Sequence, residues 1–349
     1  MSVWDAYPQE YRSQEIRAIL TAVQAGECVS VIGLSGAGKS NLVGFLANRV
    51  SAGSPTFVLV DGNRAQPRSA EGLFALAAQS LDADAGAQVP LERAVQRRLQ
   101  AGPGGLCLVF DRYDALPEAE RARAAGPLRA LRDAHKYQLT YVIATRRPLE
   151  ANDELAELFY ANTLWLGPLA PADAHWSAQQ YARRRGQAWE DALLDKLIEV
   201  SWGYPSLLRA CCEAAAALLQ DGVGLAPETF RAHPAVQRRV QEFWADAPSP
   251  EDLRRSGLKG HPLLNAAAPP VTAESPDLTA SEHRLLAYLQ AHAGDVTAKD
   301  DLIRAVWPED RVVAGLRDDS LAQLIRRLRQ KIGAERIQTI PGRGYRYVE

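Results

Sequence analysis

The residues with the clearest chemical potential lie in the stretch VSVIGLSGAGKSN, residues 29–41. It fits the phosphate-binding pattern G-x-x-x-x-G-K-[ST] at Gly33, Gly38, Lys39 and Ser40. Glycines let backbone N–H groups wrap around phosphate oxygens, and the N-terminus of a following helix adds partial positive charge. Lys39 can then reach the β- and γ-phosphates, and the Ser40 hydroxyl can coordinate Mg²⁺. The sequence predicts a nucleotide site formed by these residues with Ser35, Gly36, Ala37 and Asn41.

Charged residues at the ends of two later apolar runs extend this predicted site. Asp111 ends the run LCLVFD, where an acid beside the P-loop strand would hold Mg²⁺ together with Ser40. Asp114 is a candidate for orienting an attacking water, and a solvated loop acid is the competing interpretation. Arg146 follows the run LTYVIAT and is placed to sense a γ-phosphate, unless it and Arg147 are an ordinary surface pair. The predicted catalytic residues are Lys39, Asp111, Asp114 and Arg146.

Five apolar runs, alternating with helical stretches, must position these residues. They begin near residues 29, 56, 106, 139 and 163, and they are continuous, which is typical of parallel strands buried on both faces. We expect an α/β fold with a parallel sheet over residues 1–167. Residues 168–247 read as helical with an interruption at 201–206, where Pro205 fits the first turn of a helix. Dense proline, alanine and serine predict a linker over 248–277.

Residues 278–349 have the pattern of a separate domain with three helices and a basic hairpin. The third helix has an apolar stripe at Leu321, Ile325, Leu328 and Ile332. From residue 323 onward, seven basic and two acidic residues give a net charge of +5, in a chain whose formal net charge is −2. This asymmetry indicates a nucleic-acid surface, although a solvated face would explain the helix alone. Arginine and glutamine are also the side chains that can read guanine and adenine edges in the major groove.

The composition is that of an intracellular protein with two or three domains. The 349 residues are 47% hydrophobic, which is ample for separate cores. The four cysteines lack metal-ligand spacing, so we expect buried free thiols in a reducing cytosol. The N-terminus is polar, and no apolar run approaches the ~18 residues of a membrane span. We therefore expect a cytoplasmic protein without a membrane partner.

The C-terminal segments LTASEHRLLAYL, SLAQLIRRLRQKIG and IQTIPGRGYRYVE resemble the winged helix-turn-helix of the OmpR/PhoB response-regulator family. The resemblance implies an α+β winged helix whose third helix enters the major groove with its arginines and glutamines. It also implies that the wing around Arg343 reaches the minor groove. The predicted contacts to double-stranded DNA are Gln323, Arg326, Arg327, Arg329, Gln330, Lys331, Arg343 and Tyr345. Two positions depart from the family: Pro341 replaces a common wing arginine, and Leu324 stands where a polar residue is frequent.

Residues 1 to about 245 resemble STAND or origin-recognition-type members of the additional-strand P-loop ATPases. The resemblance rests on the P-loop, LVFDRYDAL, the strand ending ATR, LGPLAPADA and GYP. It implies an α/β P-loop NTPase with a helical lid, with ATP or ADP and Mg²⁺ as ligands, Arg146 at the γ-phosphate and Pro205 near the base. Arg112 departs from AAA+ relatives, which carry the catalytic glutamate there, whereas Asp114 matches the second acid of NACHT-type relatives. We expect a slow ATPase used as a switch.

Together these features predict a nucleotide-controlled DNA-binding regulator of transcription. Exchange of ADP for ATP would change lid packing and thereby the position or self-association of the C-terminal domain. We also expect that the chain forms a nucleotide-dependent homo-oligomer and that it binds a protein partner. Two alternatives stay open: a DNA-remodelling or replication-initiation ATPase that assembles on DNA, and a defence sensor that responds to a foreign ligand.

Overall fold

The computed structural model describes residues 3–50, 55–81, 89–102, 104–149, 154–265, 280–306, 315–333, 336–340 and 343–348. The chain separates into two compact units. The first comprises residues 1–239 and 250–263, and the second comprises residues 240–249 and 264–349. Each unit has its own hydrophobic core.

The first unit is built around a parallel sheet with the strand order β2-β3-β4-β1-β5. Its strands are β1 (Val29–Ile32), β2 (Thr56–Asp61), β3 (Leu106–Asp111), β4 (Leu139–Thr145) and β5 (Thr163–Trp165). Both β3 and β4 are buried along their whole length, as the continuous apolar runs predict. Because β4 lies between β1 and β3, the carboxyl ends of these three strands meet at one edge of the sheet.

Helices flank this sheet, as the alternation of apolar runs with helical stretches predicts. They are α1 (Ser13–Gln24), α2 (Lys39–Arg49), α3 (Ala70–Leu81), α4 (Leu91–Gln100) and α5 (Glu118–Ala134). The core between α3, α4, α5 and the sheet is lined by residues such as Leu73, Phe110 and Tyr141, which are fully buried. This packing fixes the strand ends that carry the predicted site.

A helical lid follows the sheet in the same unit. It contains α6 (Pro171–Arg184), α7 (Asp191–Ser201), α8 (Pro205–Gln220) and α9 (Pro227–Ala232). Helix α7 ends where Trp202 and Gly203 take positive φ values of 51° and 66°. Helix α8 then begins with Pro205 in its first turn, as predicted. The four cysteines are buried and free, which agrees with the sequence prediction.

The chain from residue 234 to 265 forms α10 (Pro234–Trp244), α11 (Pro250–Arg255) and α12 (Pro262–Asn265). The sequence predicts a linker over 248–277, but residues 250–263 pack into the first unit. Leu258 and His261 are buried there at 1% and 0% exposure, and His261 is hydrogen-bonded on both ring nitrogens, so apolar packing and hydrogen bonding override the proline-rich composition. Residues 266–277 of the expected linker lie outside the described residues.

The second unit contains the three predicted helices and the hairpin. The elements are α13 (Ala280–Ala291), β6 (Val296–Thr297), α14 (Lys299–Val306), α15 (Gly315–Ile332), β7 (Ile337–Ile340) and β8 (Gly344–Tyr347). The strands form an antiparallel sheet in the order β6-β8-β7, and the short β6 is an element that the sequence analysis did not predict. The predicted stripe on α15 faces the core, where Leu321, Ile325 and Leu328 are buried. The wing residues Pro341 and Gly342 lie outside the described residues.

No helix within the described ranges is long and apolar enough to span a bilayer.

Candidate functional site

The P-loop connects β1 to α2 in a conformation that depends on glycine. Gly36 and Gly38 have φ values of +81° and +86°, which residues other than glycine rarely adopt. A Cβ atom on Gly36 would also lie only 2.0 Å from the Ser206 hydroxyl of α8. Lys39 Nζ donates to the Gly33 carbonyl at 2.5 Å, so its ammonium group lies inside the loop. The loop is therefore shaped around the position that the pattern predicts for phosphate.

A cavity of about 410 Å³ opens above this loop. Many of the predicted nucleotide-site residues line it: Ser35, Gly36, Gly38, Lys39, Ser40, Asn41, Asp114, Arg146 and Pro205. Gly33 and Ala37, which belong to the same loop, are buried. Among the described residues, the cations Lys39, Arg112, Arg146 and Arg209 line the cavity and Asp114 is the one acid, so the charge of the cavity suits a polyphosphate.

Asp111 lies beside Ser40, which lines the cavity. The Asp111 carboxyl is 6% exposed, and burial raises its pKa, while a hydrogen bond from Ser40 and the nearby Arg112 and Lys39 charges lower it. Its Oδ1 atom is buried without a hydrogen-bond partner among the described residues. A buried carboxylate oxygen beside a hydroxyl is a donor set that Mg²⁺ accepts, and a cation would satisfy the orphaned oxygen. The residues present therefore fit the predicted metal.

Asp114 and Arg146 are paired with each other. The backbone N–H and the Nε atom of Arg146 donate to Asp114 Oδ2 at 2.9 and 3.1 Å. The arginine side chain is 49% exposed and the acid 15% exposed. The pairing joins the residue predicted to sense γ-phosphate to the residue predicted to orient water.

The lid contacts the P-loop backbone directly. Tyr204 donates its hydroxyl to the Ser35 carbonyl at 2.8 Å, and the Ser206 N–H donates to the Gly36 carbonyl at 3.2 Å. Pro205, between them, would be 3.5 Å from a Cβ atom on Gly38. Lid and phosphate loop are therefore one hydrogen-bonded assembly.

Arg12 is a supporting residue that the sequence analysis missed. It precedes α1 with a left-handed backbone (φ 46°), and its side chain is 1% exposed. Its Nη2 atom donates to the Ala37 carbonyl at 2.9 Å and to the Gly167 carbonyl at 3.1 Å, and Nη1 pairs with Glu15. Its backbone N–H donates to Asp173 of α6 at 2.9 Å. No sequence signal reveals this role, because three of its partners are reached only through the tertiary fold.

Two other arginines of the cavity were not predicted as ligands. Arg112 follows Asp111 with a left-handed backbone (φ 53°). Arg209 lies one helical turn after Pro205 and lines the same cavity. The i, i+4 spacing from Pro205 is the signal that would have identified Arg209, since it places both residues on one face of α8.

In the second unit, the exposed face of α15 presents three of the predicted DNA contacts. Gln323, Arg326 and Arg327 are exposed, while Leu321 and Ile325 are buried, as the predicted stripe requires. Arg343 is exposed beside the described part of the wing. The Gln330 side chain lies outside the described residues. Leu324 is buried in the core, which explains an apolar residue at this position.

The other three predicted contacts have structural partners. Arg329 donates to the Ile337 carbonyl at 2.9 and 2.6 Å and to the Thr339 hydroxyl at 2.8 Å, which fixes α15 to β7. Lys331 pairs with the buried Glu282 of α13 at 2.8 Å. Tyr345 is 7% exposed and packs in the core. These three side chains hold the domain together, which corrects the expectation that Tyr345 is a surface contact.

Comparison with known proteins agrees with this division. Residues 11–220 match the family model described as Novel STAND NTPase 1. Residues 273–347 match the model described as Transcriptional regulatory protein, C terminal. The two-component response regulator PhoP of Pseudomonas aeruginosa is 34% identical over 103 residues, which are 27% of this chain and 44% of that protein. The chain thus spans less than half the length of this curated relative.

Three solved structures that cover most of the chain are remote in sequence, and their TM-scores are below 0.5. The RuvB Holliday junction branch migration motor of Thermotoga maritima is 15% identical, with a TM-score of 0.41 over 100% of this chain and 94% of that one. The Walker-type ATPase paby2304 of Pyrococcus abyssi is 12% identical, with a TM-score of 0.46 over 99% and 97%. Cdc6p of Pyrobaculum aerophilum is 14% identical, with a TM-score of 0.46 over 96% and 89%.

Proposed function

Because this chain belongs to the Novel STAND NTPase 1 family and ends in an OmpR/PhoB-type domain, we propose that it is a transcriptional regulator whose DNA binding is controlled by ATP and Mg²⁺. The observation that carries the proposal is the direct bonding of the lid to the P-loop. A ligand that reshapes the loop must act on Tyr204 and Ser206, because both donate to loop carbonyls. Differential contacts of this kind are what a nucleotide needs to shift a conformational equilibrium.

The triphosphate would occupy the basic cavity. Lys39 would face the β- and γ-phosphates from inside the loop, and Ser40 with Asp111 would hold the Mg²⁺. Bound Mg²⁺ would neutralise phosphate charge. Arg146 would leave Asp114 for the γ-phosphate, because an exposed ion pair is worth at most about 1 kcal/mol and a phosphate offers stronger charge-assisted bonds. ADP cannot make this exchange, so Arg146 is our proposed discriminator.

Hydrolysis in this site would be slow. The position after Asp111 is Arg112, which cannot accept a proton from water. Asp114 is the acid that lines the described cavity, and it is held by Arg146 until the arginine moves. The Asp114 carboxylate would orient water only after the Arg146 side chain has moved. Slow hydrolysis would give long-lived ATP and ADP states, which suit a switch.

The output would be DNA binding by the exposed face of α15. Arg326, Arg327 and Gln323 are available to base edges and phosphates in the major groove. Arg329 and Lys331 would support this surface by fixing α15 to β7 and α13. Self-association on DNA and a protein partner of the lid are part of the same proposal.

Linkage tests the proposed control. If nucleotide changes DNA affinity, saturating DNA must change nucleotide affinity by the same factor. We expect ATP-analogue affinity, measured by calorimetry with Mg²⁺, to differ by about five-fold or more with and without operator-like DNA, while ADP affinity shifts less. Lys39→Ala should remove nucleotide binding while DNA binding persists. If DNA changes neither the affinity for the ATP analogue nor the affinity for ADP, the proposal is refuted.

A further inference from the structure

One backbone carbonyl, that of Ser201, receives hydrogen bonds from two directions. Tyr204 donates its backbone N–H to it at 3.0 Å, and His261 Nε2 donates at 3.0 Å. The same Tyr204 donates its side-chain hydroxyl to the Ser35 carbonyl of the P-loop at 2.8 Å. His261 is therefore connected to the phosphate loop through a single carbonyl and a single tyrosine.

The two partners of the His261 ring fix its protonation pattern. A carbonyl can only accept, so Nε2 carries the proton that is donated to Ser201. The backbone N–H of Leu263 can only donate, and it is 3.2 Å from Nδ1, so Nδ1 is the acceptor. The ring is fully buried and faces the Trp202 ring at a centroid distance of 4.8 Å. His261 therefore links two backbone groups in a neutral state.

His261 lies close to the point where the chain passes from the first unit to the second. Leu263 is the last residue of the first unit, and the chain enters the second unit at residue 264. The hydrogen bonds of His261 therefore hold in place the last residues of the nucleotide-binding unit. Trp202, beside it, has a left-handed backbone (φ 51°) that bulky residues rarely adopt, so the local packing holds this corner in one conformation.

We propose that His261 is a positioning residue that ties the exit of the chain from the first unit to the conformation of the P-loop. The inference rests on the nucleotide site proposed above. Because a carbonyl shares its peptide plane with the next N–H, a loop amide that turns toward phosphate also turns a carbonyl held by the lid. The displacement reaches Tyr204 from Ser35, then the Ser201 carbonyl, and then His261 and residues 262–265.

Two substitutions separate the two hydrogen bonds of His261. His261→Gln retains an amide N–H near the position of Nε2, so the bond to Ser201 is kept. His261→Asn places its amide near Nδ1, so it retains an acceptor for Leu263 and loses the donor to Ser201. The measurement is hydrogen exchange of the backbone amides of residues 258–265 in the full chain, with Mg²⁺ and either ADP or a non-hydrolysable ATP analogue. Nucleotide affinity and thermal unfolding are recorded for each variant.

We expect nucleotide to change exchange in this segment by about five-fold or more in the native chain and in His261→Gln, but not in His261→Asn, with nucleotide bound in all three. The same response in His261→Asn would overturn the inference, as would no response in the native chain when nucleotide is bound. If His261→Asn does not fold, Tyr204→Phe takes its place, because it removes only the hydroxyl donated to Ser35, and it should lose the response. A response in this segment without any change in DNA affinity supports the inference and contradicts the proposed control of DNA binding.

Discussion

Arg146 donates both its backbone N–H and its Nε atom to the same oxygen of Asp114, at 2.9 and 3.1 Å. The two residues are 32 positions apart and follow β3 and β4, which are neighbours in the sheet. Asp114 therefore binds the arginine that is predicted to sense the γ-phosphate, and Arg146 binds the carboxylate that is predicted to orient water. In the proposed switch, a γ-phosphate that attracts the Arg146 side chain removes the Nε bond to Asp114, while the backbone N–H bond remains.

The first prediction concerns discrimination between ATP and ADP. Arg146→Ala should weaken ATP-analogue binding by about 10- to 100-fold, the value of a charge-assisted hydrogen bond, and leave ADP affinity almost unchanged. Arg147→Ala, at the exposed neighbouring position, is the matched control and should alter neither affinity. Both are measured by calorimetry with Mg²⁺. An equal loss for ATP and ADP would mean that Arg146 does not recognise the γ-phosphate.

The second prediction concerns the buried Asp111 carboxyl. Burial raises its pKa above the ordinary value of 3.8, so the folded chain binds this proton more tightly than the unfolded chain does. The stability that this group contributes is therefore lost as pH rises from 3.8 through the raised pKa. Asp111→Asn should raise the apo Tm at pH 7 and remove the Mg²⁺-dependent increase in ATP affinity. An unchanged Mg²⁺ effect would reject Asp111 as a metal ligand.

The third prediction concerns Arg12 beneath the P-loop. Arg12→Met keeps most of the side-chain volume but leaves Glu15 and the Ala37 carbonyl without their cation, so the free energy of unfolding should fall by about 3 kcal/mol. Nucleotide affinity should fall with it. Arg17→Met, on the exposed face of α1, should cost less than about 0.5 kcal/mol. Similar denaturation curves for the two variants would contradict the role of Arg12.

The fourth prediction separates two arginines of α15. Arg327→Ala should weaken specific DNA binding by about 1–3 kcal/mol if it reads a base, without changing domain stability, because its side chain is exposed. Arg329→Ala should destabilise the second unit and weaken binding to every sequence alike, since it removes three hydrogen bonds to β7. Fluorescence anisotropy with matched and scrambled DNA, together with thermal unfolding, distinguishes them. A stable Arg329→Ala domain that loses only specific binding would make Arg329 a base contact.

Local sequence was sufficient for the five strands of the first unit, for the three helices and the hairpin of the second unit, and for the phosphate loop. Apolar runs predicted the five strands. In β1, β3 and β4 the runs are continuous because strands buried on both faces have no polar side to interrupt the pattern. The P-loop was predictable because its glycines and Lys39 act within eight residues of chain. The third helix of the second unit was predictable from its apolar stripe.

Contacts between distant segments were not predictable from local sequence. Arg12 reaches the P-loop across 25 residues and Gly167 across 155 residues. Residues 250–263 look like a linker by composition, yet the buried His261 is bonded to Ser201, 60 residues away. Tyr345 illustrates the same limit within a short strand, because an aromatic residue beside basic ones has the same local pattern whether it faces DNA or the core.

The central claim is that nucleotide state controls DNA binding. Its most direct test is one DNA titration of the full chain in the apo, ADP and non-hydrolysable ATP-analogue states, at fixed salt because phosphate contacts are salt-sensitive. Light scattering on the same samples reports self-association. We predict that affinity or assembly differs by about five-fold or more between the ADP and ATP-analogue states. Equal DNA affinity and equal mass in all three states, with nucleotide bound, would contradict the claim.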